Sequence, residues 1–138
     1  MRPRTQGREV AFKVLYQLDL RPDLTEGEVE EALRAESKSA EALKFARDLV
    51  NGARDHRAEI DRQVEGITHN WRLDRMAAVD RNIIRLGAYE LGWRPDVPTA
   101  VAINEAVVIA KKYSTKDSGS FVNGILDKIH QRKNAAKA

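Results

Sequence analysis

Apolar residues return at intervals of three and four along almost the whole of this chain, and that period is the strongest constraint on what it can fold into. Val10, Val14, Leu15 and Leu18 share one helical face, as do Ile60, Val64 and Ile67. Strand-like alternation occurs once, from Val97 to Ile103. There Pro98 removes a backbone donor, and Ala106, Val107 and Ala110 follow at helical spacing, so the stretch reads as a helix opening on Pro98. At 138 residues the chain is about one domain, and the expected class is all-α.

Punctuation divides the chain into about seven helices. The first, roughly residues 6 to 20, stops at Arg21-Pro22, because a residue before proline is pushed out of the helical region. Thr25 followed by Glu28 is a capping-box pattern ahead of Val29, Ala32 and Leu33. Ser39 can cap a long third element through Leu43, Leu49 and Val50, which either breaks at Gly52 or continues to about Glu65. A turn is expected near Gly66 to Asn70, with Trp71, Leu73, Met76 and Val79 beyond it. This seam divides the chain into two packed subdomains, roughly 1–66 and 67–138. From Asp80, the run through Ile83, Ile84, Leu86 and Leu91 reads as a buried helix ending at Gly92 to Pro95, with Gly87 admitting a close neighbour. Asp117 or Ser118 can cap the last helix, which carries Phe121, Val122, Ile125, Leu126 and Ile129.

Several function classes have no residues to support them. With no Cys there are no disulfides, thiolate metal sites or Cys nucleophiles. The eight glycines fit neither nucleotide-loop spacing, and no G-x-S-x-G elbow occurs. His56, His69 and His130 have no partner four residues away, so no metal or other cofactor is expected. Glu90 and Glu105 sit in apolar helices and read as carboxylates held by helix termini or by an arginine such as Arg85. No stretch approaches a membrane span and no secretory h-region leads the chain, so a cytoplasmic protein is expected.

Charge is informative through its placement. The formal net charge is only +3. Yet residues 1–18 hold Arg2, Arg4, Arg8 and Lys13 against Glu9, residues 19–36 are strongly acidic, and the tail from Asp127 is basic again. Cations along a first helix can track a phosphate backbone, and Tyr16, Tyr113 and Phe121 are candidate stacking surfaces for single-stranded RNA. On an amphipathic helix Phe121 is equally a core residue.

The second half carries a more specific pattern. It runs through Asn70-Trp71, Val79-Asp80-Arg81, Ile84 to Leu91, Val97-Pro98, Ala102 to Val107, Ala110-Lys111 and Phe121 to Asp127. With Arg8, Ala11 and Leu15-Tyr16-Gln17 near the start, the ordered set resembles the NusB family of transcription antitermination factors over nearly the whole chain. The resemblance implies an all-helical fold of two helical subdomains without catalytic activity. It also implies binding to the boxA element of nascent, mainly ribosomal, RNA as a heterodimer with NusE, a small-subunit ribosomal protein. That complex joins an assembly on RNA polymerase that suppresses premature termination. Some members of the family form homodimers that cover their RNA face, so a homodimer is compatible with the resemblance. The same fold resembles the N-terminal region of an RNA cytosine methyltransferase, whose chemistry needs a catalytic Cys that this sequence lacks.

By the same resemblance, Arg2, Arg4 and Arg8 correspond to the family's basic N-terminus, with Lys13 beyond them. Asp117, Ser118 and Phe121 match its RNA face, where Arg81 and Lys111 are expected phosphate contacts. Tyr16 and Asp80 match positions that meet NusE, although Asp80 also suits an N-cap of the fifth helix. Gly87 and Gly124 read as points of close helix approach or bending, and Asn104 and Asn123 as residues satisfying helix ends across the core.

Overall fold

A computed structural model describes residues 2–68 and 72–137, the side chain of Lys137 excepted. Among them are seven α-helices and one 3-10 turn: α1 (Pro3–Leu20), α2 (Glu26–Glu36), α3 (Ala40–Asp55), α4 (Arg57–Ile67), the turn Leu73–Arg75, α5 (Ala78–Trp93), α6 (Thr99–Tyr113) and α7 (Ser118–Lys137). No described residue is in a strand.

Local chemistry accounts for most boundaries. Pro3 occupies the first turn of α1, where a missing N–H costs nothing, so this helix starts ahead of the expected residue 6. Thr25 and Glu28 form a reciprocal capping box on α2, and the Ser39 hydroxyl accepts from the Ala42 N–H at 3.2 Å to start α3. Pro98 is the N-cap of α6 rather than its first residue. Asp80 lies in the first turn of α5, with Ala77 at the cap, so it is not the helix N-cap.

The break between α3 and α4 falls at His56, not Gly52. Gly52 lies within α3, and a side chain there would overlap the Tyr89 phenol, so its value is close approach rather than flexibility. Tyr89 and Trp93 then flank the break, the His56 ring lying 4.4 Å from Trp93 and nearly parallel to it. Gly87 does admit a neighbour: a Cβ there would stand 2.6 Å from Leu126 Cδ1. Gly124 faces open space, and Asn104 and Asn123 are exposed, so these three do not perform the packing roles expected of them. Gly66 is inside α4 rather than in a turn, and His69, Asn70 and Trp71 lie outside the described residues.

The central element is α5, which packs against α1, α3, α4, α6 and α7. Val14 of α1, Leu49 and Val50 of α3, Ile60 and Val64 of α4, Ile83 and Ile84 of α5 and Leu126 of α7 have no exposed surface and belong to one continuous core. Each such aliphatic side chain is worth about 1.5–3 kcal/mol of burial. Because the core draws on both halves of the chain, it fixes the ends of α1, α5, α6 and α7 relative to one another.

Candidate nucleic-acid interface

Three helix ends meet at one edge of the molecule: the start of α5, the end of α6 and the start of α7. Thr115–Asp117 joins α6 to α7 there, and Ser118 begins α7 with its own side chain buried. The Asp80 carboxylate accepts hydrogen bonds from Ser114 Oγ at 2.8 Å and Ser118 Oγ at 3.4 Å. Ser118 Oγ is also 2.8 Å from Ser114 Oγ and 2.9 Å from Thr115 Oγ1. These hydroxyls pin the α6–α7 connection to α5. The depression beside them, of about 230 Å³, is lined by Met76, Ala77, Asp80, Thr115, Asp117, Ser118 and Phe121.

Phe121 is half-buried, its ring packed against the core while lining that depression, so the core and surface readings each describe part of it. Asp117 is exposed, and its carbonyl accepts the Phe121 N–H at 3.2 Å. Lys111 crosses from α6 over Gly119, where a Cβ would stand 3.3 Å from its stem, and among the described residues its ammonium makes no ion pair. Tyr16 is half-buried, 6.3 Å from the Phe12 ring between centroids. Tyr113 is committed elsewhere, donating to Glu9 and packing on Phe12.

The remaining predicted residues divide sharply. Arg2 is exposed, and Arg4 is exposed while paired with Asp96 at 3.0 Å. Arg8 is not available to phosphate. It is 3% exposed, its guanidinium grips Glu90 at 2.9 Å and reaches Glu105 at 3.4 Å. Desolvation explains the pairing, since a guanidinium buried without a carboxylate is prohibitively costly. Burial pushes the Glu90 carboxyl above its ordinary pKa while Arg8 pulls it back. Arg81 is similarly occupied, bonded to Asp19 at 2.5 Å and turned toward the carbonyls of Leu73 and Met76. Asp19 is disfavoured by its own burial, yet Arg81 and Asn82 hold its carboxyl below the usual range. Lys13 pairs with Glu36 at 3.1 Å. Glu90 therefore takes Arg8, not Arg85, which binds Asp61 at 2.9 Å.

The predicted residues thus form two groups. α1 runs parallel to α6, since Arg4 meets Asp96 just before α6, Arg8 meets Glu105 within it, and Glu9 meets Lys112 near its end. At 1.5 Å per residue, Arg2 and Arg4 lie about 20 Å from the Ser118 edge along α6. Between them α6 exposes Val101, Asn104 and Val108, in line with Lys111. Sequence reasoning missed Ser114, Thr115 and Met76. The only signal for the first two was a pair of hydroxyl residues between Tyr113 and Lys116.

Comparison with known proteins decides the family. The model of the NusB family matches residues 5–131. The chain belongs to the NusB family. It is 47% identical over 133 residues to the transcription antitermination protein NusB of Myxococcus xanthus strain DK1622, covering 94% of this chain and 95% of that one. The counterpart from Geobacter sulfurreducens is 45% identical over 94% of each chain. Among solved structures, T. maritima NusB superposes with a TM-score of 0.85 at 37% identity, covering 95% of this chain and 92% of that one. A crystal structure of the antitermination factors NusB and NusE in complex with dsRNA gives 0.86 at 34% identity, covering 96% and 98%. As expected from its periodicity, this NusB-family chain is all-α.

Proposed function

We propose that this chain is a non-catalytic transcription antitermination factor. It binds the boxA element of nascent, mainly ribosomal, transcripts together with NusE, and the complex joins an assembly on RNA polymerase that suppresses premature termination. The observation that carries the reading is the edge where Phe121, Asp117 and the unpaired Lys111 ammonium converge beside Asp80, in a chain that aligns over 96% of its length with a NusB solved with NusE and dsRNA.

The roles follow from exposure. Phe121 offers a ring for base stacking, Asp117 and the neighbouring hydroxyls offer hydrogen bonds to base edges, and Lys111 neutralises a phosphate. Arg2 and Arg4 neutralise phosphates at the far end of α6, with the strand running along its exposed face. Lys13 lies between and exchanges Glu36 for phosphate. Arg8, Arg81 and Ser118 act as positioning residues, holding α1, the start of α5 and the start of α7. Tyr16 and Asp80 face NusE, Asp80 keeping lone pairs for a basic group beyond those given to Ser114 and Ser118.

Fluorescence anisotropy of labelled boxA RNA against a scrambled RNA, with and without NusE and across a salt series, tests this. Selective binding that NusE tightens and salt weakens is expected. Equal affinity for both RNAs, unchanged by NusE, overturns it.

A further inference from the structure

A second groove lies at the opposite end of α5, between α4 and α7. Counting 1.5 Å per residue from Asp80 to Leu91 places it about 17 Å along α5 from the Asp80 edge. Its volume of about 470 Å³ is in the range that accommodates a small ligand or a few side chains. The floor is aliphatic, formed by Ile67, Leu91 and Ile129, and the rims carry Arg62 and Arg132 with no lining carboxylate.

Three features set this groove apart. Most arginines of the chain are in ion pairs, whereas among the described residues Arg62 and Arg132 are in none, although both are exposed beside an apolar floor. Gln63, on the groove wall, has its Oε1 buried with no hydrogen-bond partner among the described residues, and a buried acceptor left unmade is costly. Gly66 and Gly92 open the groove from facing helices. Neither has a positive φ, so neither is a left-handed helix stop. Gly92 also meets nothing within 4 Å, unlike Gly52 or Gly87, and the Arg132 guanidinium lies over Gly66, 3.2 Å from a Cβ position.

We infer that this groove takes a short acidic and apolar segment of a partner protein. One apolar side chain sits on the aliphatic floor, carboxylates meet Arg62 and Arg132, and the Gln63 side chain rotates to bring its buried, unpartnered Oε1 to a backbone N–H of the segment. Charge complementarity selects the occupant: cations on both rims and no lining acid reject a basic segment. RNA fits less well, because single-stranded bases are held mainly by stacking on aromatic side chains and no aromatic residue lines this groove. The site is separate from the proposed RNA edge and leaves it accessible, so a third component could be held while RNA and NusE are bound.

The test is titration of the 15N-labelled full chain with the blocked peptide acetyl-Asp-Leu-Leu-Glu-amide, followed by backbone amide shifts. Expected are saturable shifts at Gly66, Leu91, Gly92 and Ile129. Affinity should fall at least about tenfold with a peptide carrying Lys for both acids, and with Arg62→Glu. Gly92→Leu, whose Cβ meets nothing within 4 Å on a backbone of ordinary φ, should abolish the shifts by filling the groove, while Gly92→Ala retains them. No shift at these amides overturns the inference, as do equal binding of the lysine peptide, full binding by Gly92→Leu, or a uridine hexamer shifting these amides in place of the peptide. Binding of boxA RNA by the same variants is expected to be unchanged, which keeps failure here distinct from failure of the antitermination reading.

Discussion

The two ends of α6 treat their charged residues in opposite ways. Toward the N-terminal end, Arg4, Arg8 and Arg94 crowd the Phe45 ring at 4.7–5.1 Å and are claimed by Asp96, Glu90 and Glu105. At the C-terminal end Lys112 is held by Glu9 on the α1 side, but on the α7 side Asp80 is met by neutral hydroxyls and, among the described residues, Lys111 makes no ion pair. The same kinds of residue are scaffold in one place and available surface in the other. What separates them is the presence of a carboxylate across a helix interface, not the basic residue itself.

Breaking the closed end should have the largest effect. Glu90→Ala leaves the buried Arg8 guanidinium with only its longer contact to Glu105 and is expected to cost about 3–5 kcal/mol in urea unfolding. Arg8→Ala should cost a similar amount, and the double variant less than the two together; a loss under about 1 kcal/mol for Glu90→Ala would mean that end is not closed.

At the open end, Phe121→Ala is expected to weaken boxA binding by about 1–3 kcal/mol through lost stacking, with the helical circular dichroism retained. Lys111→Gln should weaken all RNAs alike and reduce the salt slope by about one. An unchanged slope would place the phosphates elsewhere.

Asp96→Asn sharpens the contrast by releasing Arg4 and Arg94. Since exposed pairs are worth about 0.2–1 kcal/mol, RNA affinity at low salt should rise roughly two- to fivefold. Unchanged or weaker binding would mean that Arg4 is of no use to RNA even when freed.

A comparably small effect is expected at a surface cluster that serves as the reference for the buried one. Arg47 and Arg34 hold Glu30 down to a pKa of about 2, at 2.7 and 3.0 Å. Because the folded value is depressed, this contribution is complete above the ordinary value of about 4.5 and is lost as pH falls through about 2. Glu30→Gln should therefore cost about 0.5–1 kcal/mol at pH 7 and progressively less as thermal unfolding is repeated toward pH 2. Glu90 has the opposite sign, its pKa being raised by burial, so its share favours folding most at low pH.

Helix identity was legible because it rests on local rules: the capping box at Thr25, the hydroxyl of Ser39 and the proline after Arg21 act within a few residues of where they are read. Local rules leave Gly52 undecided between a break and a continuation, because its partner, Tyr89, is 37 positions away and only the tertiary contact overrides the local penalty. The order and spacing of words such as Phe121-Val122-Asn123-Gly124 revealed the family, but not which of them touch anything. Asn104, Asn123 and Gly124 face outward, and Arg8 faces inward. Charge counting along α1 treated Arg2, Arg4 and Arg8 as equivalent, whereas the helical period places Arg8 on the face bearing Ala11 and Leu15. Only the fold brings Glu90 and Glu105 to that face.

Because one guanidinium joins α1, α5 and α6, it also governs how the molecule opens. Lifting any of these helices alone would break part of this buried cluster, so local fluctuations that free their amides are suppressed. Protons on Val14, Ile84 and Ala106 should exchange with solvent only through global opening, with the full free energy of unfolding. The helix α2, which buries only Val29 and Leu33 and is otherwise tied by surface pairs, should lose its protons earlier, by detaching while the rest stays closed.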